Sequence, residues 1–210
     1  MKIEQIKEIV TEKIKLPLPG IELQKLMAPV GRAAYENIQH EVQTYRQGAV
    51  LIHIFESNAS PHIVFIKRSD YDGVHSGQIS FPGGKFENAD ANFEYTAIRE
   101  ANEEVGIAQS EIEIAGMLSR VHIPVSKFTV HPFISFGNKI PKLKKDDNEV
   151  KEILLLPFLE FLNPANKIET KVTVKSGMIR QVPCYQIGDH IVWGATAMMM
   201  AEIIWMFDHA

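Results

Sequence analysis

Apolar residues recur along this chain with two different periods, and the switch between them organises it. Ile3, Ile6, Ile9, Val10 and Ile14 fall at helical spacing and predict a short amphipathic helix over 1 to 14, closed by the breaker LPLPG at 16 to 20. Ile21 to Met27 predicts a second helix, and the stretch after Pro29 a third. From Gly48 the character changes. AVLIHIF and HIVFIKR are rich in Val, Ile and Phe and are separated by the turn material SNASP, so 48 to 56 and 62 to 68 predict a hairpin. A helix over Phe93 to Val105 follows, with Gly106 as its C-cap. Strand-like runs then occupy 112 to 121, 128 to 136, 150 to 156, 170 to 174, 178 to 187 and 190 to 193, with PFLEFLNP as a short helix among them. The last element, 195 to 207, is apolar nearly all round, its only charge before Asp208 being Glu202, and such a helix must be covered on most sides. With no repeat or low-complexity tract, LPLPG is the one candidate boundary, and the reading is a helical extension over 1–45 followed by a main domain over 46–210.

Composition narrows the function classes. The 210 residues include 45% hydrophobic ones, enough for a proper core. With 22 basic and 26 acidic residues the net charge is −4, which gives no sequence-independent grip on nucleic acid or on an anionic membrane, so an anionic ligand must be held locally. Cys184 is the only cysteine, which excludes an internal disulfide and a cysteine metal cluster and fits a reducing compartment. The start, MKIEQIKEIV, mixes charges among its apolar residues, and no apolar run reaches the roughly 18 residues of a membrane span. A cytoplasmic location is expected.

Charge is uneven in one place. Between Phe86 and Arg120 stand eight acids and two bases, Arg99 and Arg120. On a helix Glu100 lies three and four residues before Glu103 and Glu104, so the three carboxylates share one sector and repel one another. A hard divalent cation would relieve that repulsion, since magnesium takes a few carboxylates together with waters and substrate phosphates. Charge runs are more often plain solvated faces. What favours a site is the order of features: Gly83–Gly84, a loop with Asp90, then REANEEVGI from 99 to 107, within a strand, turn and helix.

This order resembles the Nudix box, with Arg99, Glu100, Ala101, Glu103, Glu104, Gly106 and Ile107 matching position for position. The loop from Asp90 to Arg99 is one residue longer than the usual box, and Asp stands where Glu is usual, so Asp90 and Glu87 are both candidates for the partner that orients Arg99. KRSDYDGVHSGQISFPGG, from 67 to 84, is similar to the extension that marks the coenzyme A diphosphatase branch, carried here by Arg68, Ser69, His75, Gly77, Gln78, Phe81, Pro82, Gly83 and Gly84. VWGATA, 192 to 197, resembles another segment common in that branch. The branch often has Leu-Arg shortly before the histidine, where this chain has Gly73 and Val74.

The resemblance implies an α/β fold, an αβα sandwich around a mixed sheet, with 46–210 as the Nudix hydrolase domain. It implies Mg²⁺ or Mn²⁺ on Glu100, Glu103 and Glu104 with a backbone carbonyl from the glycine turn, taken as Gly84. Glu100 would be the base, and Arg99 would hold the carboxylates in register. The implied reaction is hydrolysis of the diphosphate of coenzyme A (CoA), or of a CoA derivative, to 4′-phosphopantetheine and 3′,5′-ADP. Arg68, His75, Gln78, Phe81 and Gly83 form the expected substrate-binding set. Lys67, Arg68 or Lys85 could meet the 3′-phosphate, and Glu149 or Glu152 could add a downstream carboxylate. Residues 1–45 could cap the sheet, shape the pocket or pair in a homodimer. The remaining alternatives are a Nudix hydrolase of another nucleotide diphosphate, such as ADP-ribose or a dinucleoside polyphosphate, and a non-catalytic ligand sensor.

Overall fold

The computed structural model describes residues 1–29, 42–69, 75–173 and 177–208. The helix expected after Pro29 and the Gly73–Val74 departure lie outside the described residues. Helix α1, Ile3–Lys13, buries Ile3, Ile6 and Val10 on one stripe. Full burial of a side chain such as Ile6 or Val10 contributes about 1.5–3 kcal/mol. Helix α2, Ile21–Leu26, follows Gly20, whose φ of +52° makes the turn after LPLPG.

Strands β1, Arg46–Ser57, and β2, Ser60–Arg68, form the expected hairpin, with a tighter turn than SNASP suggested. Only Asn58 and Ala59 connect them, both at positive φ, and this left-handed pair matches the right-handed twist of the flanking strands. The strands pair directly only near the turn, from Ile54↔Ile63 to Ser57↔Ser60. Beyond that the segment 79–85 is wedged between them. Its strand β3, Ile79–Ser80, pairs with β2, and its strand β4, Gly83–Lys85, pairs with β1, while Leu51 N–H donates to the Pro82 carbonyl at 2.9 Å.

On its other side β1 runs parallel to β7, Phe128–Gly137, from Arg46↔Phe128 to Phe55↔Gly137. Strands β5, Glu113–Met117, and β6, Val121–Ile123, pair antiparallel with β7, so the run expected over 112 to 121 is two strands interrupted at Leu118–Arg120. Strand β8, Val150–Pro157, completes the mixed eight-stranded sheet beside β2. Helix α3, Phe93–Val105, covers one face through Ala97 and Ala101 against Ala49, Leu51 and Phe133. The other face carries the larger core.

A short helix, α4, Phe158–Phe161, leads into a separate antiparallel sheet of β9, Lys167–Thr173, β10, Ile179–Ile187, and β11, His190–Trp193. The strands were legible in the sequence, but their separation from the main sheet was not. Helix α5, Ala195–Asp208, has nine of its 14 residues buried, as its all-round apolar surface requires, and Met198, Met199 and Met200 are core. Ile6 and Val10 belong to the same core as α5, so α1 caps this chain's own sheet. Glu202 is buried at this junction, and its two oxygens accept the Gly20 and Ser119 N–H groups at 2.8 Å each. The clamp ties the N-terminal segment to the sheet.

Candidate active site

Helix α3 is bounded by local chemistry. The Asn92 side chain accepts the Tyr95 N–H at 2.8 Å as N-cap, and Gly106, at φ +77°, closes the C-terminus as expected. The KKDDN turn folds back over that C-terminus, with Asp146 N–H on the Glu104 carbonyl and Lys144 N–H on the Val105 carbonyl, both at 2.9 Å. These bonds satisfy orphan helix carbonyls and bring Glu149 beside the helix.

Arg99 is the hub. It meets Asp90 through two parallel bonds, Nε to Oδ1 at 2.9 Å and Nη2 to Oδ2 at 3.0 Å. Of the two candidate partners Asp90 is the one bonded to it; Glu87 meets Asp90 through its backbone, its N–H donating to Oδ2 and its carbonyl accepting the Asp90 N–H, both at 3.0 Å. Thr96, buried and not singled out by motif, also donates to Asp90 Oδ2, at 2.9 Å. The remaining Arg99 donors reach the Lys85 carbonyl at 3.2 Å, Glu103 Oε2 at 2.8 Å and Glu100 Oε1 at 3.0 Å. The Arg99 hydrogen bonds, more than any other cause, hold the Asp90 carboxyl well below the usual carboxylate range.

The three box glutamates differ in environment. Glu103 is exposed and Glu100 half-buried, whereas Glu104 is 2% exposed, with Oε2 on the Gly83 N–H at 2.8 Å and Oε1 4.0 Å from Arg68 Nη1. Burial pushes the Glu104 carboxyl up to about 8, against the opposing pull of the Gly83 N–H and Arg68, and the charges of Glu100 and Glu149 push it further. Glu100 is raised as well, first by burial and then, against the pull of Arg99, by Glu103 and Glu149. Glu149, exposed just before β8, is thus electrically part of the cluster.

The glycines give this cluster its room. A Cβ on Gly84 would stand 2.5 Å from the Glu100 carboxylate, and one on Gly83 would stand 2.3 Å from the Ala49 carbonyl oxygen. Gly84 was expected to lend its carbonyl to a metal. That oxygen is turned onto β1, 2.3 Å from where a Gly48 Cβ would sit, while Gly83, one residue out of phase in the antiparallel ladder, directs its N–H toward Glu104. Phe81 was expected in the substrate-binding set. It is 1% exposed and stacked on Phe65 at 4.7 Å between ring centres, so it anchors the turn from within the core.

His75 and Gln78 pair with each other, Nδ1 to Oε1 at 3.1 Å, and the Gln78 carbonyl accepts the Arg68 N–H at 3.0 Å. The wedge therefore brings the His75–Gln78 turn and Arg68 to the same end of β2 that faces Glu104. Lys85 is exposed beside the Arg99 hub, and Glu152 lies opposite Lys67 in the β2–β8 register.

Among the described residues no three His, Cys, Asp or Glu side chains already converge on one point, because Glu100 and Glu103 lean on Arg99 and Glu104 on Gly83. The donor set nonetheless suits a hard divalent cation. It is all oxygen, neighbouring carboxylates push the Glu100 and Glu104 carboxyls up, and the space beside Glu100 is kept open by Gly84.

A small mixed sheet feeding a glycine turn into a helix with this carboxylate pattern defines a class, and residues 44–176 match the NUDIX domain model. The chain belongs to the Nudix hydrolase family. Within it, the chain is 34% identical over 154 residues to the mitochondrial coenzyme A diphosphatase NUDT8 of Homo sapiens, a match covering 72% of this chain and 65% of that protein. It is 30% identical over 166 residues to the Nudix hydrolase NudL of Escherichia coli, covering 79% of this chain and 85% of that one. The fold is shared with the MutT protein of Methanosarcina mazei Go1 (TM-score 0.51, 17% identity, 79% of this chain and 96% of that one). It is also shared with a MutT/nudix family protein of Enterococcus faecalis (TM-score 0.51, 14% identity, 81% and 68%). Among the described residues no helix is long and apolar enough to cross a membrane.

Proposed function

We propose that this chain hydrolyses the diphosphate bond of CoA or a CoA derivative to 4′-phosphopantetheine, or its acyl form, and 3′,5′-ADP. The observation that carries the reading is the wedge: the segment similar to the branch extension sits between β1 and β2, with the Gln78 carbonyl on the Arg68 N–H and the Arg68 guanidinium 4.0 Å from the Glu104 carboxylate. The likeness to a named coenzyme A diphosphatase supports it.

Glu100, Glu103 and Glu104 would hold Mg²⁺ or Mn²⁺, with Glu149 near enough to join them and Gly83, rather than Gly84, as the source of a backbone carbonyl. When bound, such ions offset the charge of the diphosphate oxygens and make a water acidic enough to attack phosphorus near neutral pH. Glu100, half-buried against Gly84, would serve as the base, accepting a proton at a carboxylate oxygen. Arg99, fixed by Asp90 and the Lys85 carbonyl, orients Glu100 and Glu103 without touching the substrate. Arg68 and the His75–Gln78 turn hold the substrate, and Lys67, Arg68 or Lys85 would meet its 3′-phosphate. The working protein is read as a helical extension over 1–45 on a catalytic domain over 46–210, with a cytoplasmic setting.

Turnover of purified protein with Mg²⁺ or Mn²⁺ tests this on CoA beside ADP-ribose and a diadenosine polyphosphate, with products identified by mass. Release of 3′,5′-ADP from CoA well ahead of the other substrates is expected. Turnover of ADP-ribose alone would keep the metal site and discard the extension as a specificity marker, and no turnover at all would favour the sensor reading.

A further inference from the structure

The VWGATA segment has no part in the chemistry above, and it lies beyond the matched residues 44–176. It ends β11, turns at Gly194 with φ +66°, and opens α5. Thr196, 5% exposed, sits in the first turn of that helix and donates its hydroxyl to the Ile79 carbonyl at 3.0 Å, across 117 residues of sequence.

The direction of that carbonyl gives the contact its meaning. In an antiparallel ladder bonded and non-bonded positions alternate. Arg68 N–H takes the Gln78 carbonyl, so the carbonyl of Ile79 faces away from β2. Thr196 meets it from that outer side. Ile79 and Val192 join one core, and Phe81 continues into a stack of Phe65, Phe161 and Tyr185, the last of these on β10. The segment after the His75–Gln78 turn is thus held between β2 on one side and the C-terminal β10–β11–α5 unit on the other.

We infer that Thr196 is a positioning residue for substrate affinity: its hydroxyl fixes the Ile79 carbonyl and thereby the His75–Gln78 turn against which substrate is held. The inference rests on that turn being a substrate-binding element, as proposed above. Thr196 is bonded to the Ile79 carbonyl rather than to Arg99, Asp90 or a glutamate of α3, so its removal acts on binding and leaves the chemical step in place.

Thr196→Val deletes the hydroxyl at nearly constant volume, and Thr196→Ser keeps it. For T196V, KM for CoA should rise about tenfold with kcat within about twofold, and T196S should restore the wild-type KM. Hydrogen exchange of the substrate-free protein supplies a second readout: amides of 77–80 should exchange about tenfold faster in T196V, with protection of α3 unchanged. Should T196V fold poorly, Thr196→Ala makes the same comparison. Unchanged KM and unchanged exchange in the hydroxyl-free variant would overturn the inference, as would equal impairment of T196V and T196S. If the wild-type protein does not turn over CoA, the substrate reading fails, while the exchange result still decides whether Thr196 holds the turn.

Discussion

Arg99 and Asp90 face each other across the box loop through two parallel hydrogen bonds of 2.9 and 3.0 Å, with the Asp90 side chain almost wholly out of solvent. The pair lets an aspartate serve where this motif usually has glutamate: the shorter side chain is met by a loop one residue longer.

Asp90→Asn keeps the shape but takes from Arg99 the buried anion that it meets through two parallel bonds. Removing one member of a buried pair is costly, so the melting temperature should fall by roughly 5 °C. Turnover should drop about tenfold or more as Glu100 and Glu103 lose their register. Since the Asp90 pKa is depressed in the folded state, its stabilisation is present above the ordinary carboxyl range and lost as pH falls through its own lower pKa. Acid melts of the variant should lack that component, and an unchanged melt and rate would remove Asp90 from the hub.

Glu103 is exposed and, among the described residues, bonded to Arg99 alone, so Glu103→Gln should leave thermal stability within about 1 °C while cutting kcat by about 100-fold or more. Wild-type turnover in this variant would exclude Glu103 from the catalytic set.

Glu104 makes metal-free stability depend on pH with the opposite sign to Asp90. Its folded pKa is raised from 4.5 to about 8, so in that window the folded state binds a proton that the unfolded state has released, and stability falls as pH rises. Melts in chelator between pH 5 and 8 should show this decline, and Glu104→Gln should flatten it. Added Mg²⁺ should stabilise the wild type increasingly toward pH 8, because binding competes with that proton. A chelated protein whose stability rises through the window, in wild type and variant alike, would refute the raised pKa.

The two glycines of the turn should respond differently to alanine. At Gly84 the new methyl meets the movable end of Glu100, so Gly84→Ala should fold normally and lose about tenfold or more in kcat. At Gly83 it meets the Ala49 and Val50 backbone at a φ of +155°, so Gly83→Ala should lose several degrees of melting temperature. Circular dichroism melts beside initial rates distinguish the two, and equal stability of both variants would contradict the packing described.

Some of this protein was written in local sequence. The hairpin, the box helix with its Gly106 cap and the apolar last helix follow from residue periods and end signals that act within a few neighbours, and the acidic sector follows from three- and four-residue spacing on one helix. Tertiary structure decided what depends on partners far along the chain. Ile79–Lys85 entering between β1 and β2, and β7 rather than another strand lying parallel to β1, follow from hydrogen bonds and burial shared across dozens of residues, which no local pattern encodes. The same reason put Phe81 in the core, turned the Gly84 carbonyl onto β1 and chose Asp90 over Glu87 for Arg99. It also made Glu104 the most perturbed of three glutamates that look alike in sequence, since a carboxyl's pKa is set by how much water and charge the whole fold leaves around it.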